Sequence, residues 1–210
     1  EFAERFEAWL ASGHEHILCV HTSAKLSGII NVATLAAADF PGRVTVVDSE
    51  QLSLGVGFQA LAAARTLHSG GGLKDALEAV TKARERLHVV ALVDTLDNLR
   101  RSGRVGFLTA GIGDLLNIKL FVTVEQGSVE RLESTRTRKK AIKRMIEMIE
   151  AHGPLAQLGL LHANADADAR AIAEQLNVEI AHAPLFQNVT PSIGVHVGPD
   201  ALGFAALRAH

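Results

Sequence analysis

Twice near its start the chain passes from a short apolar strand through a polar loop into a helical pattern, and this repetition constrains the fold more than any other feature. Residues 16–21 (His-Ile-Leu-Cys-Val-His) lead into a polar loop and then a helix expected over residues 27–38. Pro41-Gly42 turns the chain, residues 43–47 form a β-branched strand closed by Asp48-Ser49, and an alanine-rich helix is expected over residues 52–67. Gly70-Gly71-Gly72 stops that helix. A helix over residues 73–87 then leads to a strand at 88–93 and a further helix that ends at Ser102-Gly103-Arg104. Ahead of all this, residues 1–12 place Phe2, Phe6, Trp9 and Leu10 on one helical face. Strands that alternate with helices predict mostly parallel sheets, because parallel neighbours need long crossovers that cover both faces.

After Leu116 the texture changes. Residues 119–125 and 129–134 flank Gln126-Gly127 and read as an antiparallel hairpin. A basic helix is expected over 137–151, then a strand at 157–162, a helix at 166–176 and a strand at 178–183. The tail over 191–210 carries Gly194, Gly198 and Gly203 around a final strand. The expected fold class is α/β with two α/β lobes, residues 1–117 and 118–210, mostly parallel sheets and a ligand cleft between the lobes. Such designs hold small molecules in crevices at the carboxyl ends of strands or between lobes.

Composition narrows the functions. Lys and Arg number 21 against 23 Asp and Glu, a formal charge of -2, which is not the basic field that nucleic-acid binding leaves. Hydrophobic residues at 48% fit a folded domain, and no apolar run reaches the length of a membrane span. The opening EFAERFEAWL is amphipathic and acidic, unlike a signal peptide. Cys19 has no cysteine partner and suits a reducing compartment, so a cytoplasmic protein is expected. Glu1 in place of Met, before an abrupt helix start, suggests that sequence precedes the part read here.

The segment His21-Thr22-Ser23-Ala24-Lys25-Leu26-Ser27-Gly28 joins a strand end to a helix start. A helix N-terminus offers unpaired N–H groups and roughly half a positive charge, so it favours an anion. Ser27 and Gly28 are candidate anion ligands there, and Ser23 is a further candidate from the same loop. Ser27 is equally placed to cap its own helix, and both roles stay open at this point. The segment lacks the Gly-Lys-Ser/Thr ending of a phosphate loop and the Gly-x-Ser-x-Gly of a hydrolase elbow. Ser53-Leu54-Gly55-Val56-Gly57 has no third glycine for a dinucleotide, and close helix packing explains its glycines. His14, His16, His152, His162, His182 and His196 show no metal-ligand spacing, so neither metal nor cofactor is expected. His196 stands apart on the glycine-flanked stretch Gly194-Val195-His196-Val197-Gly198-Pro199. Arg136, Arg138, Lys139, Lys140, Lys143 and Arg144 crowd together without an acid among them, either as a solvated face or as a dock for an acidic partner. The alternative to a binding protein is a phosphotransferase or hydrolase that uses Asp48 or Asp94 at a strand end.

Taken together, HTSAKLSG, VVDS with SLGVG, LRRSGRV, LLNIK, the Gly127 hairpin with STRTRKKA, and IGVHVGP resemble the DegV family of bacterial fatty-acid-binding proteins along essentially the whole chain. The resemblance implies a carrier rather than an enzyme, with a long-chain fatty acid as ligand, its carboxylate in the cleft and its tail in an apolar tunnel. By motif position it makes Ser27 the carboxylate-binding serine and His196 the histidine of the family's carboxyl-terminal motif. It further implies that the fatty acid is handed to a fatty acid kinase, with Arg136, Arg138, Lys139 and Lys140 as the dock. The chain departs from the family pattern in three places: Ile29 follows Ser-Gly where threonine is usual, Leu120 follows Ile-Lys where proline is usual, and Asp200 follows Gly-Pro where glycine is usual. The family's Thr-Asp-Ser strand end and Thr-Ser-x-Pro loop are expected upstream of Glu1. At about 0.8 kcal/mol per buried methylene, a tail of about 14 to 18 carbons supplies about 11 to 14 kcal/mol. The head group then needs only neutral donors that offset its desolvation.

Overall fold

The computed structural model of the chain describes residues 1–93, Asn98 and 118–209. Residues 1–93 open with helix α1 (Phe2–Ala11), followed by strand β1 (Ile17–His21), helix α2 (Ile29–Ala37) and strand β2 (Val44–Asp48). Helices α3 (Leu54–His68) and α4 (Leu73–Glu85) come next, and strand β3 (Leu87–Val93) ends the stretch. Beyond it lie β4 (Lys119–Glu125), β5 (Ser128–Thr135), α5 (Arg138–Ala151), β6 (Leu155–His162), α6 (Asp166–Gln175), β7 (Leu185–Asn188), α7 (Pro191–Val197) and β8 (Leu202–Arg208). Two compact units emerge from the packing: Glu1–Glu85 with Gln126–Ser128, and Arg86–Glu125 with Val129–His210.

In the first unit β1 and β2 form a two-stranded parallel sheet, with Ile17 opposite Val44 and His21 opposite Asp48. The period-2 alternation of a strand sends Leu18 and Val20 to one face, where they join Val47, Ala63, Ala76 and Val80 against α3 and α4. Cys19 and His21 turn to the other face, where the His21 ring meets Phe2 of α1 edge-on at 5.4 Å. Phe6 of α1 is buried there and packs perpendicular to Phe40. Both strands therefore end, at their carboxyl termini, beside the loops that open α2 and α3.

The second unit holds a six-stranded sheet in the order β5-β4-β3-β8-β6-β7. Its core gathers Leu92, Phe121, Met145, Ile149, Leu160, Ile172 and Phe204 between that sheet and helices α5 and α6. The expectation of mostly parallel sheets is corrected here. β3 pairs antiparallel with β4 and β8, β8 pairs antiparallel with β6, and only β6 and β7 are parallel among these pairings. The reason is topological: β8, the last strand, inserts between β3 and β6, and strand-helix alternation along the sequence carries no signal of that insertion. The expected boundary at 117/118 places β3 in the first lobe, whereas β3 finds its partners in β4 and β8 and groups with the second unit.

Two local expectations also change. Residues 178–183 form no strand and make one isolated parallel bridge, Leu155 with Ile180; the strand lies further on, at β7. The stretch around His196, expected as an irregular glycine-flanked segment, is helix α7, which Thr190 and Pro191 start at positions that favour helix entry. Asp94, residues 99–105 and residues 115–117, which carry parts of the expected pattern, lie outside the described residues.

Candidate functional site

The loop from β1 to α2 is built around one buried residue. Ser23 is fully buried, and its N–H donates to the Gln51 carbonyl at 2.9 Å. Its own carbonyl accepts from the N–H groups of Leu26 and Ser27, both at 3.0 Å, which closes a tight turn. Its hydroxyl donates to the Gly127 carbonyl at 2.7 Å and accepts from the Lys25 N–H at 3.2 Å. Ser23 thus uses every polar atom within the first unit.

Asp48 holds the loop from the other side. One carboxylate oxygen accepts from the Ala24 N–H at 3.1 Å and the other from the Glu50 N–H at 2.8 Å, so the ends of β1 and β2 are tied together. Both oxygens of this strand-end acid serve backbone amides. Arg84 adds an ion pair to Glu50 at 2.8 Å. Beneath, the buried Gln59 side chain donates to the Ser49 and Gly55 carbonyls at 3.0 and 3.3 Å. Two of the loop residues, Glu50 and Ser53, take positive φ of 53° and 52°, which records how tightly the turn between β2 and α3 is drawn.

At the far end of the β1–α2 loop the polar groups are open. Gly28 is the N-cap residue of α2 with no side-chain cap of its own. Ser27 Oγ accepts from the Ile29 N–H at 3.3 Å, so the capping role exists. That bond uses a lone pair and leaves the hydroxyl proton without an acceptor among the described residues. Nor do the Gly28 and Ile30 N–H groups donate to any carbonyl or side chain among the described residues. Ser27 is half-buried, Gly28 is exposed, and a methyl placed on Gly28 would meet nothing within 4 Å among the described residues. One hydroxyl proton and two amide protons therefore sit at the positive end of a helix, with no described residue crowding the glycine. This arrangement suits a carboxylate, which accepts several hydrogen bonds and carries the charge that the helix end favours. The exposed Lys25 makes no ion pair among the described residues; its Nζ donates to the Gln126 carbonyl at 2.9 Å.

The second unit holds the other expected residues. His196 lies half-buried on α7. Gly198 ends that helix at φ 81°, and a Cβ there would collide with the Asn98 side-chain amide, so the position needs glycine twice over. Asp200 adopts φ 59°, a left-handed conformation that explains why glycine suits that place. Of the basic stretch, Arg138 is committed to Asp168 at 2.6 Å and to the Asp200 carbonyl at 2.8 Å. Arg144 is committed to Glu133 and Glu147, and Lys143 faces Glu147. Arg136, Lys139 and Lys140 remain exposed and make no ion pair with the described residues. They stand around the first turn of α5, which contains no acid.

Among the described residues no group of three or more His, Cys, Asp or Glu can hold a metal ion, and no helix is long and apolar enough to cross a membrane. Cys19 is a half-buried free thiol whose pKa is pushed up by burial. Sequence reasoning missed Asp48, Gln51 and Gly127 as holders of the loop. Gln126-Gly127 signalled a turn, but its partner lies 104 residues away from it in the chain, and no local pattern marks such a pairing.

The family model described as "Uncharacterised protein, DegV family" matches residues 1–209. This chain belongs to the DegV family. A DegV domain-containing protein of Streptomyces coelicolor, SCO2569, is 38% identical over 206 residues, a match that covers 96% of this chain and 73% of the relative. Among solved structures, a DegV family protein from Thermus thermophilus described by its fatty acid binding is 34% identical at a TM-score of 0.89, covering 99% of this chain and 75% of that one. DegV of Bacillus subtilis, described as a fatty acid binding protein, is 27% identical at a TM-score of 0.82, covering 99% and 77%. The DegV segments recognised in the sequence take distinct structural roles. HTSAKLSG is the loop into α2, SLGVG opens α3, STRTRKKA runs from the end of β5 into α5, and IGVHVGP is α7 with its glycine stop.

Proposed function

We propose that this DegV protein binds a long-chain fatty acid, with the carboxylate at the N-terminus of α2 and the acyl chain in an apolar tunnel. The observation that carries the proposal is the donor set of the Ser27 hydroxyl and the Gly28 and Ile30 amides, which have no acceptor among the described residues and lie beside the exposed Gly28. Fatty acid binding by the Thermus and Bacillus relatives supports the same ligand class. Leu26 and the exposed Ile29 side chain border the head-group position, so the first methylenes meet apolar surface as the carboxylate meets donors. Neutral donors are sufficient because the tail dominates affinity: about 0.8 kcal/mol per methylene far exceeds the net gain of about 1 kcal/mol from one hydrogen bond.

The protein acts as a carrier in the reducing cytoplasm and presents the head group to a kinase, which docks on Arg136, Lys139 and Lys140. Asp48 supports a binding role over phosphotransfer or hydrolysis, because its two oxygens are engaged by the Ala24 and Glu50 amides instead of facing a substrate. Mass spectrometry of lipid extracted from the full-length purified protein tests the proposal. Wild type retains a fatty acid, and Ser27→Ala retains about a tenth as much, given about 1.4 kcal/mol per factor of ten. Stabilisation by magnesium-ATP, with no retained lipid and no stabilisation by fatty acid, overturns it.

A further inference from the structure

We infer that Ser23 and Gly127 form a latch that fixes the loop into α2 in its carboxylate-binding geometry, which makes them positioning residues for head-group selectivity. The inference rests on the carboxylate proposal above and goes further by assigning selectivity to residues that do not touch the ligand. Ser23 is fully buried, and its hydroxyl proton is directed at the Gly127 carbonyl at 2.7 Å. The same residue's carbonyl holds the N–H groups of Leu26 and Ser27 at 3.0 Å. Whatever fixes Ser23 therefore fixes Ser27, and through it the direction of the free hydroxyl proton and the Gly28 amide.

Gly127 meets two requirements at once. Its φ of 78° lies in the left-handed region, and a Cβ added there would stand 2.6 Å from Ser23 Oγ and 3.7 Å from the Glu50 Cα. Glycine thus permits both the hairpin turn and the close approach that makes the hydrogen bond. Lys25 Nζ, bonded to the Gln126 carbonyl at 2.9 Å, provides a second tether between the same two segments. The turn Gln126–Ser128 groups with the first unit. Loops carry binding groups with precision only when something holds them, and here the hold comes from a turn far along the chain.

Releasing the latch leaves the acyl chain's environment unchanged and lets the head-group donors wander. The cost falls on discrimination between a carboxylate and a neutral head group of the same chain length. The test compares affinities of the full-length protein for hexadecanoic acid and 1-hexadecanol by displacement of a fluorescent lipid, in wild type, Ser23→Ala and Gly127→Asn. Asparagine tolerates left-handed φ, so Gly127→Asn keeps the hairpin turn while its Cβ pushes Ser23 away. Both variants lower the preference for acid over alcohol about three- to tenfold, as the loss of one positioning hydrogen bond allows. Alcohol affinity stays within about twofold, and amide exchange at residues 24–30 accelerates; general destabilisation would weaken acid and alcohol alike. An unchanged acid-to-alcohol ratio in a folded Ser23→Ala or Gly127→Asn protein overturns the latch. Wild type with no preference for acid over alcohol instead overturns the carboxylate site itself, so the two failures are distinguishable.

Discussion

Gly28 has φ -74° and ψ 0°, values that any residue adopts, and nothing among the described residues lies within 4 Å of where its Cβ would be. Neither its backbone conformation nor the described residues around it therefore require glycine there. Gly28→Ala restricts the unfolded chain and should raise stability by about 0.4 to 1 kcal/mol. If the open space in front of the residue is where the carboxylate approaches the amide, the same methyl obstructs it, and fatty acid affinity should fall about tenfold, or about 1.4 kcal/mol. Denaturant midpoints and fatty acid titration measured on one variant check both signs, and a more stable protein with intact affinity would place the carboxylate elsewhere. The capping role of Ser27 was legible in the sequence, because strand end, serine, glycine and helix start follow one another locally. Ser23 was read from the sequence as a further anion ligand in the loop, not as a buried residue that holds it. Its burial and its bond to Gly127 depend on a turn that the sequence does not place beside it. Arg138 shows the same limit from the other side: charge count made it a docking residue, and packing binds it to Asp168 and Asp200.

Elements were predictable where a period was long or a punctuation residue was strong. Helices α3 and α4, bounded by the triple glycine, and the β4–β5 hairpin about Gln126-Gly127 match their expected positions closely. β7 was missed because Leu185–Asn188 is short and mostly exposed, so it shows no alternation of buried and exposed positions. The junction of α5 with β3 carries chemistry that no pattern displays. His152, the C-cap residue of α5, stacks on His88 of β3 with ring centroids 3.9 Å apart and planes 16° from parallel. Burial first, then the His88 and Arg208 charges, lower the His152 pKa from 6.5 to about 4. Burial, assisted by Arg208 and opposed by Glu125, also lowers His88. Both rings are thus held neutral in the folded protein while the unfolded chain takes up protons near pH 6.5. Stability should be insensitive to these groups above that pH and should fall as pH drops from about 6.5 toward 4. His152→Gln removes one of the two rings and should flatten that part of the curve. Urea midpoints of wild type and variant at pH 7.5, 6.0 and 5.0 measure it, and parallel pH profiles for the two proteins would refute the assignment.

At the scale of the whole molecule, strand-helix alternation announced an α/β chain and parallel pairing of β1 with β2, but not which strands would share a sheet. The two units that result bury their strands to different depths. β8 is buried at every position except Arg208, whereas β2 is buried at none. Opening the first unit exposes less new apolar surface per strand, so it should cost less free energy than opening the second. Amides of β1 and β2 should accordingly exchange with solvent through a cheaper local opening than those of β3, β6 and β8. With the carboxylate site proposed at α2, ligand binding should couple to that opening, because the donors of Ser27, Gly28 and Ile30 belong to the first unit. Fatty acid at about 100 times its Kd should raise the opening free energy of β1 and β2 by about 2.7 kcal/mol and narrow the gap between the units. Hydrogen exchange read by mass spectrometry with and without fatty acid resolves the two sets of strands. Equal protection in both units without ligand would mean that they open as one body, and a ligand effect confined to the second unit would remove α2 from the binding site. Slower exchange at β1 and β2 on adding fatty acid, with hexadecanol less effective, is the pattern that a carboxylate held at the α2 N-terminus requires.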